Sequence, residues 1–161
     1  FGYISEALDL ERFTMFTFSP ILARFELLLN YVKTATKDGE PRKNDPVVRK
    51  EVANLATQHE VARVLGLRFV AAAKEVGAKP PTLEASQYKL YATQLSQRSV
   101  NKALDITGNE GQFRLDDAHA PEGGRFDSAY RATVVETIGG GSSEIQKNII
   151  ARRGLGLPKN F

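Results

Sequence analysis

Apolar residues recur every three or four positions along most of the chain. Leu8, Phe13, Phe16, Ile21, Phe25, Leu28 and Val32 form the first series, which predicts a helix from about Ser5 to Thr36 with Ser5 as its cap. Pro20 falls inside it and predicts a kink or an irregular first half, because proline removes a backbone donor and clashes with the preceding turn. The polar run KDGEPRKNDP then reads as a loop. At its end Asp45 precedes Pro46, a strong start signal: the aspartate side chain accepts from first-turn N–H groups, and proline needs no donor at the first helical position.

A second helix is predicted from there to about Val76, with Val48, Val52, Leu55, Val61, Val64, Leu65 and Phe69 facing the core. Gly77 ends it and Pro80-Pro81 forbids continuation. A third helix starts near Thr82, carries Tyr88, Tyr91, Leu95, Val100 and Leu104, and stops at Gly108. Residues 109–125 read as irregular. A fourth helix covers about Asp127 to Thr137, the glycines 139–141 break it, and a fifth runs from Ser142 or Ser143 to just before Gly154. No strand alternation and no internal repeat appears. Long helices with short connections pack nearly antiparallel, each burying one apolar stripe. The expected fold is all-α: an up-and-down bundle of long antiparallel helices closed by short C-terminal ones, a single domain over residues 1–161.

Composition narrows the picture little. The 161 residues are 42% hydrophobic and 25% charged, ordinary for a globular domain. No apolar run is long enough to span a bilayer. Without cysteine there are no disulfides or thiolate metal sites, which fits a reducing compartment. A net charge of +3 could favour nucleotide phosphates, but no Lys/Arg cluster is dense enough for a nucleic-acid face, and a solvated surface is the better account. His59 and His119 stand alone, with no metal spacing, and read as structural. The chain begins at Phe1, which suggests a piece of a longer protein.

Candidate chemistry concentrates at the end, in ETIGGGSSEIQKNIIARRGLGLP. Three glycines open backbone conformations closed to other residues and let a flat ligand approach closely. The next helix then offers free N–H groups to an anion or a carbonyl oxygen. A hinge followed by an ordinary cap is the plain alternative.

The segment GGGSSEIQKNIIARRGLGLP resembles the C-terminal signature of the acyl-CoA dehydrogenase family, in which a Gly-Thr-Ser-Glu-Ile-Gln-Arg-type run precedes the final helix. Three further stretches resemble the family in order: ALDLERF its first C-terminal-domain helix, Asp-Pro-Val-Val-Arg the start of its second, and ALDITGNEG its cofactor-contacting turn. The resemblance covers essentially the whole chain and implies one of three domains, the N-terminal helical and middle β domains being absent. The reaction implied is α,β-dehydrogenation of an acyl-CoA thioester, in which a carboxylate takes the α-proton and FAD takes the β-hydrogen as hydride.

Most members carry the basic Glu at the position matching Gly140 here, which cannot act as a base. Others place it on the first helix in a Leu-Glu-Arg context, which Glu11 in LDLER matches. Glu11 is therefore the base that the resemblance implies; a surface acid stabilising a helix's first turns is the other reading. Arg12 and Arg152 match arginines near the bound substrate, and each also suits a surface cation. Ser142, Ser143 and Glu144 match the family's flavin contact. Gly108, Asn109 and Gly111 match the turn usually written Gln-x-x-Gly-Gly-x-Gly, with Asp105 in place of Gln. An aspartate there repels pyrophosphate unless it is neutralised. The Arg-x-x-Phe-Gly motif that contacts FAD across the family's dimer is not intact: in ATKDGEP either Ala35 or Lys37 replaces Arg, and no Phe follows.

The eroded flavin motif and DGEP-type loop resemble bacterial members that work as heteromeric pairs on bulky acyl-CoAs such as steroid side chains. The implied partners are the acyl-CoA, other dehydrogenase subunits in a homo- or hetero-oligomer (dimer or tetramer), and an electron-transfer flavoprotein. The implied location is cytoplasmic in a bacterium, or the mitochondrial matrix in a eukaryote. A non-catalytic subunit that supports a sister subunit's site is the alternative function.

Overall fold

The computed structural model describes Glu11, residues 18–74 and residues 81–158. Five α-helices lie among them: α1 (Phe18–Thr34), α2 (Pro46–Ala73), α3 (Thr82–Thr107), α4 (Arg125–Glu136) and α5 (Ser143–Gly154). Glu11 is itself helical. No described helix is long and apolar enough to cross a membrane.

Local signals set the boundaries. The Asp45 side chain accepts from Val47 N–H at 2.8 Å and Val48 N–H at 3.3 Å, with Pro46 in the first turn of α2. Residues 18–34 are continuously helical through Pro20. The expected irregular first half and the Ser5 cap lie outside the described residues, as do Val76, Gly77 and Pro80. The loop after α1 contains a short ribbon, β1 (Thr36–Lys37) antiparallel to β2 (Glu40–Pro41). Asp38 and Gly39 both take positive φ, the backbone that a two-residue hairpin turn needs.

Paired residues fix the packing. Arg98 meets Gln58, Lys102 meets Glu51, and Arg68 meets Glu84, so α2 and α3 run antiparallel. Phe126 packs edge-on against Tyr31 while Glu136 pairs with Arg24, so α4 runs antiparallel to α1. Arg153 reaches Thr82 while the loop before α5 sits at Lys89, so α5 also descends along α3. This is the expected up-and-down bundle, with α3 as its central post.

The core joins Ile21, Phe25, Leu28 and Val32 of α1 to Leu55 and Ala62 of α2, and to Tyr88, Leu95 and Ile106 of α3. Burying each large side chain contributes about 1.5–3 kcal/mol. Burial raises the pKa of the Tyr88 phenol, which keeps it neutral. The core face of α2 differs from the expected one. Val48, Leu55, His59, Ala62 and Phe69 are buried, whereas Val61 and Val64 are 42% and 51% exposed. The buried row follows a heptad spacing that includes His59 and half-buried Gly66, which packs beneath Tyr88. Val61 and Val64 fall off that row. His59 stacks on Phe25 at 4.4 Å and its Nδ1 lies 2.8 Å from the Leu55 carbonyl oxygen.

Candidate active site

Helix α3 is buried on two faces because other helices surround it. One row meets α2, with Tyr88 against Gly66. The other consists of Thr82, Ser86, Lys89, Thr93 and Ser96, all buried; Thr82 and Lys89 meet α5 and the loop before it, and Ser96 meets Arg24 of α1. Small hydroxyl side chains allow close helix approach, and Thr93 satisfies its own hydroxyl on the Lys89 carbonyl at 2.9 Å.

Lys89 stands in that row with no exposed surface. Its ammonium donates to the Gly141 carbonyl at 2.6 Å. From the other side the Gln146 amide, equally buried, donates to the carbonyls of Gly140 and Gly141 at 3.1 and 3.0 Å. Gly140 and Gly141 have φ of +64° and +95°, where an L side chain is strained, and a Cβ on Gly141 would stand 2.8 Å from the Gln146 Nε2. The glycine segment is therefore a fixed turn, not a hinge. One helical turn before it, Glu136 at the end of α4 pairs at 2.7 Å with Arg24 of α1, which also donates to Ser96 of α3.

Both carbonyls point inward, so their trans peptides turn the N–H groups of Gly141 and Ser142 the opposite way. Among the described residues neither N–H has a hydrogen-bond acceptor. Ser142 precedes α5 but spends its hydroxyl on Glu144 Oε2 at 2.7 Å instead of capping an N–H. That bond, chiefly, and the Glu144 backbone N–H hold the Glu144 carboxyl below the usual range. With a carboxylate already at this helix start, the donors suit a neutral acceptor such as a carbonyl better than an anion.

The second group of matching residues lies at the other end of α3. Gly108, Asn109 and Glu110 face Thr36, Lys37, Asp38 and Arg42 across a cleft of about 570 Å³. Arg42 is committed to Asp45 and to the Ile106 carbonyl, and Asp105 to Lys102. Lys37 is then the remaining cation of this cleft against Asp38 and Glu110. Gly111 is buried and does not line the cleft; its missing side chain is explained by Thr107, whose Oγ1 would stand 1.9 Å from an added Cβ.

The matching residues thus form two groups. Ser142, Ser143 and Glu144 lie at the glycine turn, near Lys89. Gly108 and Asn109 follow the far end of α3, Thr107, which lies eighteen residues beyond Lys89, roughly 27 Å at the helical rise. Arg152 belongs to neither: it is exposed and lines a cleft of about 400 Å³ with Ile145, Ile149 and Leu157. Glu11 is half-buried, and Arg12 lies outside the described residues. The sequence reading missed Lys89 and Gln146. The usable signal for Lys89 was its place in a row of small hydroxyl residues at helical spacing, which marks a buried face.

A family model described as "Acyl-CoA dehydrogenase, C-terminal domain" matches residues 1–155. Among curated proteins, acyl-CoA dehydrogenase FadE26 of Mycobacterium tuberculosis is 33% identical over 110 residues, 66% of this chain and 28% of that protein. Probable acyl-CoA dehydrogenase YngJ of Bacillus subtilis is 30% identical over 131 residues, 81% of this chain and 32% of that protein. The chain therefore spans about a third of the length of these relatives. Among solved structures, the ChsE4-ChsE5 complex of Mycobacterium tuberculosis matches with a TM-score of 0.78 at 25% identity, over 90% of this chain and 36% of that one. A glutaryl-coenzyme A dehydrogenase bound to glutaryl-CoA shares the fold at a TM-score of 0.80 and 23% identity, over 97% of this chain and 38% of that one.

Proposed function

The chain belongs to the acyl-CoA dehydrogenase family, and on that footing we propose that within the intact protein it supplies the base and part of the flavin contact for α,β-dehydrogenation of an acyl-CoA thioester. The observation that carries this reading is the glycine turn: two N–H donors with no acceptor among the described residues, on a run of three half-buried glycines. That surface fits a flat ring with polar edges. FAD supplies the hydride acceptor when bound.

Glu11 is the proposed base. Gly140 leaves the glycine turn without a carboxylate, and Glu11 is helical and half-buried, which suits a carboxylate partly withdrawn from water. Its carboxylate oxygen accepts the α-proton. The Gly141 and Ser142 N–H groups hold an acceptor oxygen or nitrogen of the bound molecules in place. Arg12 and Arg152 hold the acyl-CoA from the substrate side, Arg152 at the mouth of the Ile145–Leu157 cleft.

The distant cleft does not fit a pyrophosphate unaided, because acids outnumber its free cation. Gly108 and Asn109 contribute to flavin binding only where another subunit brings positive charge. This favours a dimeric or tetrameric assembly with a sister acyl-CoA dehydrogenase subunit, reoxidised by an electron-transfer flavoprotein. The same acid-lined cleft supports a second reading, in which this subunit is non-catalytic and the base lies in its partner.

Glu11→Gln in the full-length assembly separates the two. It keeps shape and removes the base, so single-turnover flavin reduction falls by roughly two to four orders of magnitude while acyl-CoA binding persists. Reduction at the parent rate would contradict the base assignment and favour the non-catalytic reading.

A further inference from the structure

We infer that Lys89 and Gln146 are positioning residues: together they clamp the Gly140 and Gly141 carbonyls inward and thereby aim the Gly141 and Ser142 N–H groups at a neutral carbonyl or ring-nitrogen acceptor of the bound molecules. The inference rests on the reading above for the identity of those molecules, but the clamp itself does not.

Three observations carry it. An ammonium buried in the middle of a helix bundle is costly unless it is well bonded, and Lys89 donates to the turn at 2.6 Å from a place with no exposed surface. Gln146 makes two more bonds to the same two peptides from a second buried position, so the turn is held from α3 and from α5 at once. A bond to one carbonyl would leave each peptide free to rock about its Cα atoms; bonds to both carbonyls of consecutive peptides fix both planes. Glycine at 140 and 141 allows the φ values that this arrangement requires. The outward N–H groups then stand preorganised, with nothing in the described protein to bond them. Donors that need not reorient hold a developing charge more strongly than mobile ones.

Packing alone would also explain buried polar side chains, so the test reads the donors themselves. Amide hydrogen exchange at Gly141 and Ser142 is followed in the full-length protein without cofactor, with FAD, and with FAD plus butyryl-CoA. The two loaded arms distinguish a flavin acceptor from a thioester one. In the parent, exchange at both amides slows by about tenfold or more in at least one loaded arm. Gln146→Leu, close in volume but unable to donate, keeps the far-ultraviolet spectrum, loses that slowing, and weakens binding of the same molecule by roughly tenfold. Lys89→Met does the same; if it fails to fold, Gln146→Leu decides alone. The inference is overturned if no loaded arm slows exchange in the parent, or if Gln146→Leu retains the slowing. It is overturned equally if the slowing disappears while affinity stays at the parent value. Failure of the Glu11 assignment leaves these readouts untouched, so the two ideas fall separately.

Discussion

The two ends of α3 carry the two halves of one family signature, and they are built in opposite ways. At the Lys89 end, polar groups are buried, bonded from two helices, and aimed at backbone carbonyls. At the Thr107 end, charges satisfy one another: Asp105 takes Lys102, and Arg42 takes Asp45 and the Ile106 carbonyl. A resemblance in sequence treats both stretches alike. The structure distinguishes a surface whose donors have no acceptor among the described residues from one whose Arg42 and Asp105 are already committed, leaving Lys37 against Asp38 and Glu110. On the proposed reading, only the first receives a ligand from this chain's own resources.

This contrast can be attacked from either end. The largest effect on stability is expected at the near end. Arg24→Met removes the ion pair to Glu136 and the bond to Ser96, both partly buried, and should cost about 1.5–3 kcal/mol in chemical denaturation. Glu136 closes α4 just before the glycine turn, so flavin reduction should slow as well. Loss of stability without any change in reduction would show that the turn does not depend on this tie.

Next comes the far end, where Gly111 serves packing. Gly111→Ala drives a methyl into Thr107 and Leu104 and should cost about 1–3 kcal/mol, with Thr107→Ala in the same chain recovering much of it. Recovery sharpens the contrast, because it assigns the glycine to Thr107 and not to a cofactor. No recovery would return Gly111 to the cofactor-contact reading.

The smallest effect tests the bundle that separates the two ends. Burial, the dominant influence, pushes the His59 pKa below its ordinary 6.5. The unfolded chain then takes up the proton first, so this contribution to stability is present in full above 6.5 and is lost as pH falls below it. His59→Leu cannot titrate and should lose less melting temperature than the parent between about pH 7.5 and 5. Equal losses would remove His59 as a source of acid sensitivity.

Much of the fold was legible because helix ends carry local chemistry. Asp45-Pro46, Gly108 and the triple glycine each mark a boundary through backbone requirements that no tertiary contact overrides. The core face of α2 was harder to read. Its buried heptad row uses His59, Ala62 and Gly66, residues with little apolar signal, while Val61 and Val64 draw attention to a face that is exposed. The site was half legible for a related reason. Glycines followed by serines announce the turn, but the groups that hold it are a lysine and a glutamine, types that read as solvated surface wherever burial is unknown. Burial depends on which helices surround α3, and that is decided by contacts distant in sequence.

One comparison tests the central claim most directly. Gly141 and Gly108 both have positive φ, +95° and +71°, so alanine strains the backbone at either, and at Gly108, whose ψ of −148° lies in a region left almost entirely to glycine, by about 1–3 kcal/mol. Only at Gly141 does the new Cβ meet the clamp, 2.8 Å from Gln146 Nε2; at Gly108 nothing lies within 4 Å. In the full-length assembly loaded with FAD and acyl-CoA, single-turnover flavin reduction, read well below each variant's melting temperature, should slow by about tenfold or more in Gly141→Ala and by less than about threefold in Gly108→Ala. Equal slowing, or greater slowing in Gly108→Ala, would place the working surface of this domain at the other end of α3 and contradict the account.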